Sequence, residues 1–159
     1  MNKMISKLLL LLVGIMIGAI SMGNLMNEKL IEKHNLSEKH RILFQLMNMW
    51  VKVKQEKISL PEYFYHNDMR NIAIYGFGVV GRLLENELKD TDVSVRYIID
   101  KNAENCSTKN KKYTPDEELP DVDAVVVTAV TYFDEIEKMM SSKMRCPIVS
   151  LEDIMFDLV

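Results

Sequence analysis

Cysteine is nearly absent from this sequence: Cys106 and Cys146 are the only two in 159 residues. Neither has a C-x-x-C partner, and no His/Cys cluster has zinc-ligand spacing, which argues against a zinc site. Two isolated thiols fit a reducing compartment, with a disulfide between them as the alternative. An excess of positive charge is also missing. The formal net charge is -3, with Lys and Arg scattered among Asp and Glu, so nothing points to a nucleic-acid partner. Catalytic sets are missing too. No Ser/His/Asp or Cys/His set is recognisable from spacing. The one Tyr-x-x-x-Lys, Tyr97 to Lys101, runs along a strand, where the two side chains do not stack as they would one helical turn apart. His34, His40 and His66 form no cluster with ligand spacing, so none reads as a metal ligand.

What is present is unevenly spread. Hydrophobic residues make up 48% of the chain, and the first thirty positions hold a large share of them. Leu8 to Met26 reads LLLLLVGIMIGAISMGNLM, with no charge. About 20 residues cross a bilayer as a helix, so residues 1–26 are expected to carry a membrane anchor over 8–26. A cleavable signal peptide is the rival, with Lys3 and Lys7 as its basic start and Ala19-x-Ser21 as the cleavage site. No Cys follows the run, which excludes a lipoprotein. Lys29, Lys33, Lys39 and Arg41 follow it, so the positive-inside rule leans toward a single-pass cell-membrane protein with its C-terminal domain in the cytoplasm. Gly14 and Gly18 form a G-x-x-x-G, the spacing that lets membrane helices approach, so a homodimer is one partner the sequence allows.

Residues 27–68 read as a helical connector. Leu43, Leu46, Met47, Trp50 and Val53 fall on one helical face. Ser37 is expected to cap this helix. The stripe either docks on the next domain, the simpler expectation, or receives a partner. Ser59-Leu60-Pro61-Glu62 is a capping box for a short second helix, and Asn67-Asp68 marks a turn.

The informative part is 69–159. Asn71 to Tyr75, NIAIY, is a short apolar run of β type that leads into Gly76-Phe77-Gly78-Val79-Val80-Gly81, a G-x-G-x-x-G. A helical pattern follows, with Val80, Leu83, Leu84 and Leu88 on one side. The next run, SVRYIID, is a strand ending in Asp100. This is the context in which the motif binds a dinucleotide. Gly76 permits the tight turn, Gly78 lets the backbone approach a pyrophosphate, and Gly81 lets helix and strand pack closely. The helix N-terminus offers free N–H groups to an anion. Asp100, 19 residues after Gly81, is placed to accept from the adenosine ribose, with Lys101 beside it.

The remainder completes a parallel sheet. Lys112-Tyr113 reads as a stub of the third strand, and Thr114-Pro115-Asp116-Glu117 as a capping box with a single helical turn. VDAVVVTAV is a buried strand of β-branched residues. Thr131 is expected to cap the helix after it, with Asp134 at its third position. Pro147-Ile148-Val149 is the last strand, and Ser150 caps the closing helix. Right-handed crossovers then give strand order 3-2-1-4-5. The fold class is therefore α/β: a small Rossmann-like parallel sheet preceded by a transmembrane helix and a helical connector. A ligand is expected at the carboxyl edge where strands one and four diverge, against Gly76 to Gly81, Asp100, Lys101 and the loop holding Thr128 and Thr131.

The string IAIYGFGVVGRLLENEL…VRYIIDKN…TPDEELPDVDAVVVTAV resembles the stand-alone NAD(P)-binding-type Rossmann domains of bacterial surface-polysaccharide loci. It is similar to the small nucleotide-binding domains of sugar-nucleotide epimerase/dehydratase and acetyltransferase proteins. The resemblance covers 71–159 and implies that Gly76, Gly78, Gly81 and Asp100 are nucleotide contacts. GFGVVG followed by IID is also similar to the nucleotide-sensing domains of potassium channels, but the chain lacks their acidic Gly-Asp segment and pore helices. Three readings follow. The first is a membrane-anchored dinucleotide-binding module, a sensor or accessory subunit in cell-envelope polysaccharide synthesis, holding NAD or a sugar nucleotide beside a glycan-synthesis partner. The second is an oxidoreductase or sugar-nucleotide-modifying subunit completed by a partner. The third is a structural domain with no ligand. Fold alone does not license an enzyme.

Overall fold

The structure is a computed structural model. It describes the backbone of residues 2–159 and the side chains of Met22, Met26, Lys29, Leu30, Ile31, Lys33, His34 and residues 36–159. The chain forms two compact units, Met1–Arg41 and Ile42–Val159. Helix α1, Asn2–Gln55, runs through the boundary. The apolar run 8–26 lies, apart from Met22 and Met26, outside the side chains described. Among the described residues no helix is long and apolar enough to cross a membrane. Ser37 does not cap a helix, because α1 continues through it. Its capping preference counts only where a helix begins, and Glu, Lys and Leu around it favour continuation.

The second unit is a five-stranded, all-parallel sheet. Its strands are β1 (Asn71–Tyr75), β2 (Ser94–Ile99), β3 (Lys111–Tyr113), β4 (Ala124–Val127) and β5 (Ile148–Ser150). Their order is β3-β2-β1-β4-β5, as the hydrophobic pattern and crossover handedness imply. Every residue of β4 is buried, which is why it reads as an unbroken apolar run. Helix α3 (Val79–Glu87) joins β1 to β2, α4 (Phe133–Ser141) lies between β4 and β5, α5 (Leu151–Leu158) follows β5, and α2 (Leu60–His66) precedes the sheet.

The sheet carries a core on each face. One contains Ile72, Ile74, Leu84 and Ile154, and the end of α1 belongs to it through Leu46, Trp50 and Val53. The connector's stripe is thus a docking seam. Leu46 and Val53 are 0% and 1% exposed, each burial contributing about 1.5–3 kcal/mol. Leu43, at 37% exposure, sits at the margin. Leu83 is likewise 41% exposed, so only Val80, Leu84 and Leu88 of the expected α3 face are buried. The other core contains Tyr75, Tyr97, Val127, Ile136 and Met140.

The helix starts divide into those with a side-chain bond and those without. Ser150 Oγ accepts the Glu152 amide at 3.2 Å and caps α5. Ser59 occupies the cap position of α2 but makes no side-chain cap bond. Thr131 does not cap α4. It lies within a 3-10 turn, Val130–Tyr132, that the chain makes before α4 begins at Phe133. Glu117 accepts from the Thr114 amide at 2.6 Å and hydroxyl at 2.8 Å, yet only a turn follows, because the chain goes straight on toward β4.

Candidate functional site

β1 ends at the carboxyl edge and passes into Gly76, whose φ of 91° is a conformation L side chains rarely adopt. A Cβ at Gly76 would meet the Ala129 Cβ at 3.0 Å. The Gly76 amide donates to the Ile99 carbonyl at 2.8 Å, which ties the turn to the end of β2. A Cβ at Gly81 would overlap the Gly76 carbonyl oxygen, so α3 packs on the turn only with glycine there. Gly78 is different. Nothing lies within 4 Å of the space its Cβ would take, and the residue is exposed.

Gly78 is also the N-cap of α3. The first bond of the helix runs from the Arg82 amide to the Gly78 carbonyl at 3.2 Å. The amides of Val79, Val80 and Gly81 therefore precede the helical ladder, as the first donors of any helix do. Together with the positive end of the helix dipole they form an environment suited to an anion. Phe77 and Val80 are 4% and 8% exposed and belong to the core on the α3 face, whereas the Val79 side chain is 66% exposed.

Asp100 follows β2 directly and is half-buried. Its Oδ2 accepts the Phe77 amide at 2.7 Å, and its Oδ1 accepts the Asn102 amide at 2.8 Å. Hydrogen bonds to a charged acceptor are about twice as strong as neutral ones, so this carboxylate fixes the turn. Each oxygen keeps a further lone pair for another donor. Lys101, next to it, is exposed. Thr128, 4% exposed, directs its hydroxyl to the carbonyls of Gly76 and, at 3.2 Å, Tyr75. It braces the turn from β4. Thr131 sits half-buried in the 3-10 turn beyond. Glycines, Asp100 and Thr128 thus meet at the same edge, linked by direct bonds.

Neither thiol is activated. Burial raises the Cys106 thiol above the ordinary range, and the Asp100 carboxylate adds to this. Burial raises Cys146 as well. A thiol held protonated is a poor nucleophile. Among the described residues no group of three His, Cys, Asp or Glu side chains is arranged to hold a metal. A cavity of about 530 Å³ lies between α1 and α3, lined by Trp50, Val51, Lys54, Leu83 and Glu87 among others, and includes no residue of the glycine turn. The sequence reading missed Tyr75. It is 3% exposed and its hydroxyl has no hydrogen-bond partner. The signal was the one hydroxyl-bearing aromatic ending an otherwise aliphatic run, NIAIY.

No protein-family model matches the chain, and neither a curated protein nor a solved structure matches it.

Proposed function

We propose that the carboxyl edge of this sheet binds an adenine dinucleotide, NAD(H) in preference to NADP(H), and that residues 8–26 hold the module to a membrane with the sheet on the cytoplasmic side. The observation that carries the reading is the contrast among three glycines. Gly76 and Gly81 are glycine because their own fold closes on them, by backbone angle and by contact. No contact requires glycine at Gly78, where the side-chain space is open; the N-cap position adds only a mild preference for it. An approaching pyrophosphate supplies a reason, since it needs that space and the amides beside it. Asp100 supports the choice of cofactor. A carboxylate there accepts from the ribose 2′-hydroxyl through a free lone pair and repels a 2′-phosphate.

The groups that support binding are the amides and the carboxylate at this edge. The likeness of the chain's strings to domains of bacterial surface-polysaccharide loci supports a sensor or accessory role in envelope glycan synthesis. The lysines flanking 8–26 support the orientation. A crystal structure grown with NAD⁺ tests the reading. Pyrophosphate density against Gly78 and the Val79 to Gly81 amides supports it. Density that leaves this turn bare contradicts it.

A further inference from the structure

Native proteins rarely leave a buried hydroxyl unbonded, because such a group has given up its hydrogen bonds to water with no replacement. Tyr75 is such a case among the described residues. Its position makes it informative. Tyr75 is the last residue of β1, paired with Ile99 on β2 and Val127 on β4, at the point where the strand order reverses. Its side chain belongs to the core that contains Ile136 and Met140 of α4, whereas Val80 and Leu84 of α3 belong to the other. The ring therefore lies on the sheet face opposite the helix that follows the glycine turn. Its neighbour Tyr97 on the same face is satisfied, donating to the Pro120 carbonyl at 2.6 Å.

The charge around the hydroxyl restricts what it can meet. Burial raises its proton affinity, and the Asp100 and Asp116 carboxylates raise it further. Tyr75 is therefore a protonated donor in a negative field. An uncharged acceptor such as a carbonyl or a sugar hydroxyl suits that field, and a second anion does not.

We infer that Tyr75 is a binding residue for the half of the ligand beyond the pyrophosphate, donating its hydroxyl hydrogen bond to an uncharged acceptor on the α4 face of the sheet. The inference rests on the dinucleotide reading and extends it across β1. It gives the two faces separate tasks: the α3 face holds the pyrophosphate and the adenosine ribose, and the α4 face holds the second half. Because the hydroxyl is closed from solvent, the acceptor reaches it with a local shift of the atoms around it. Binding is then coupled to a small opening at the edge.

The test compares Tyr75→Phe with the wild type in the full-length chain purified in detergent. Titration calorimetry uses NAD⁺ and ADP, which shares the adenosine and pyrophosphate but lacks both the second ribose and the nicotinamide. The thermal midpoint of each unliganded protein is measured alongside. The variant removes one oxygen and nothing else, so its unliganded midpoint is expected to hold or rise. NAD⁺ affinity is expected to fall about tenfold, with ADP unchanged. Equal NAD⁺ affinity in both proteins, or an equal loss for both ligands, overturns the inference while leaving the dinucleotide reading in place. A clear fall in the unliganded midpoint also overturns it, because the hydroxyl then already has a structural partner. If the wild type binds neither ligand, both the inference and the dinucleotide reading fail.

Discussion

The Asp100 carboxylate accepts the Phe77 amide at 2.7 Å, so the residue that follows the second strand fixes the turn that follows the first. The acidic side chain expected to read the ribose is therefore also a structural brace. Asp100→Ala leaves the Phe77 and Asn102 amides without their charged acceptor. We expect it to cost roughly 1.5–3 kcal/mol and lower the thermal midpoint by roughly 5–10 °C, read by circular dichroism. An unchanged midpoint would show that the turn holds without it. Loss of NAD⁺ binding in this variant does not isolate the ribose contact. Asp100→Asn keeps one acceptor oxygen for Phe77 while removing the charge. It is expected to narrow the gap between NAD⁺ and NADP⁺ at a smaller cost in stability.

The three glycines should separate in stability. Gly81→Ala forces a methyl onto the Gly76 carbonyl oxygen, backbone that cannot swing aside. A loss of about 3 kcal/mol or more is expected, at the upper end of overpacking effects. Gly78→Ala meets open space, so its cost should be only that of a less favoured N-cap residue, about 0.5–1 kcal/mol. Urea denaturation of both variants measures this. A Gly78→Ala variant as damaged as Gly81→Ala would refute the packing account of the turn.

The end of α1 is part of the sheet's core, so the fold needs it. A chain beginning at Asn35 retains Leu46, Trp50 and Val53 and is expected to unfold in one cooperative thermal transition. A chain beginning at Met69 loses these together with Leu60 and Phe64, all of one core, and is expected to show none. Leu46→Ala in the longer fragment should cost about 2–5 kcal/mol. Cooperative unfolding of the shorter fragment would contradict the docking seam.

Much of this fold is legible from residue pattern. NIAIY coincides with β1 from Asn71 to Tyr75, and the glycine spacing locates the turn and the start of α3. The strand order is the one expected from the sequence. Local capping signals carried less. Ser37 looks like a start but lies within a helix, and Thr131 is displaced by a 3-10 turn held by the Tyr132 amide on the Ala129 carbonyl at 2.9 Å. A cap is worth about 1 kcal/mol, which flanking helix propensity and the geometry of a crossover outweigh. Which of the site's groups bond to one another was not legible. That Asp100 holds Phe77, that Thr128 holds Gly76, and that the Tyr75 hydroxyl holds nothing all depend on side-chain placement across three strands.

The anchor proposal has its own test. Residues 8–26 are expected to remain uncleaved and keep the protein in the membrane fraction. Intact-mass measurement of the purified chain checks it. A mature N-terminus near Met22 would replace the anchor with a signal peptide.

The most direct measurement is titration calorimetry of NAD⁺ and NADP⁺ on the full-length protein and its Gly78→Val variant. We expect the wild type to bind NAD⁺ more tightly than NADP⁺, and the variant, with its branched side chain in the space open at Gly78, to lose both while unfolding at nearly the wild-type temperature. If neither dinucleotide binds at millimolar concentration and Gly78→Val changes nothing, the edge is not a dinucleotide site.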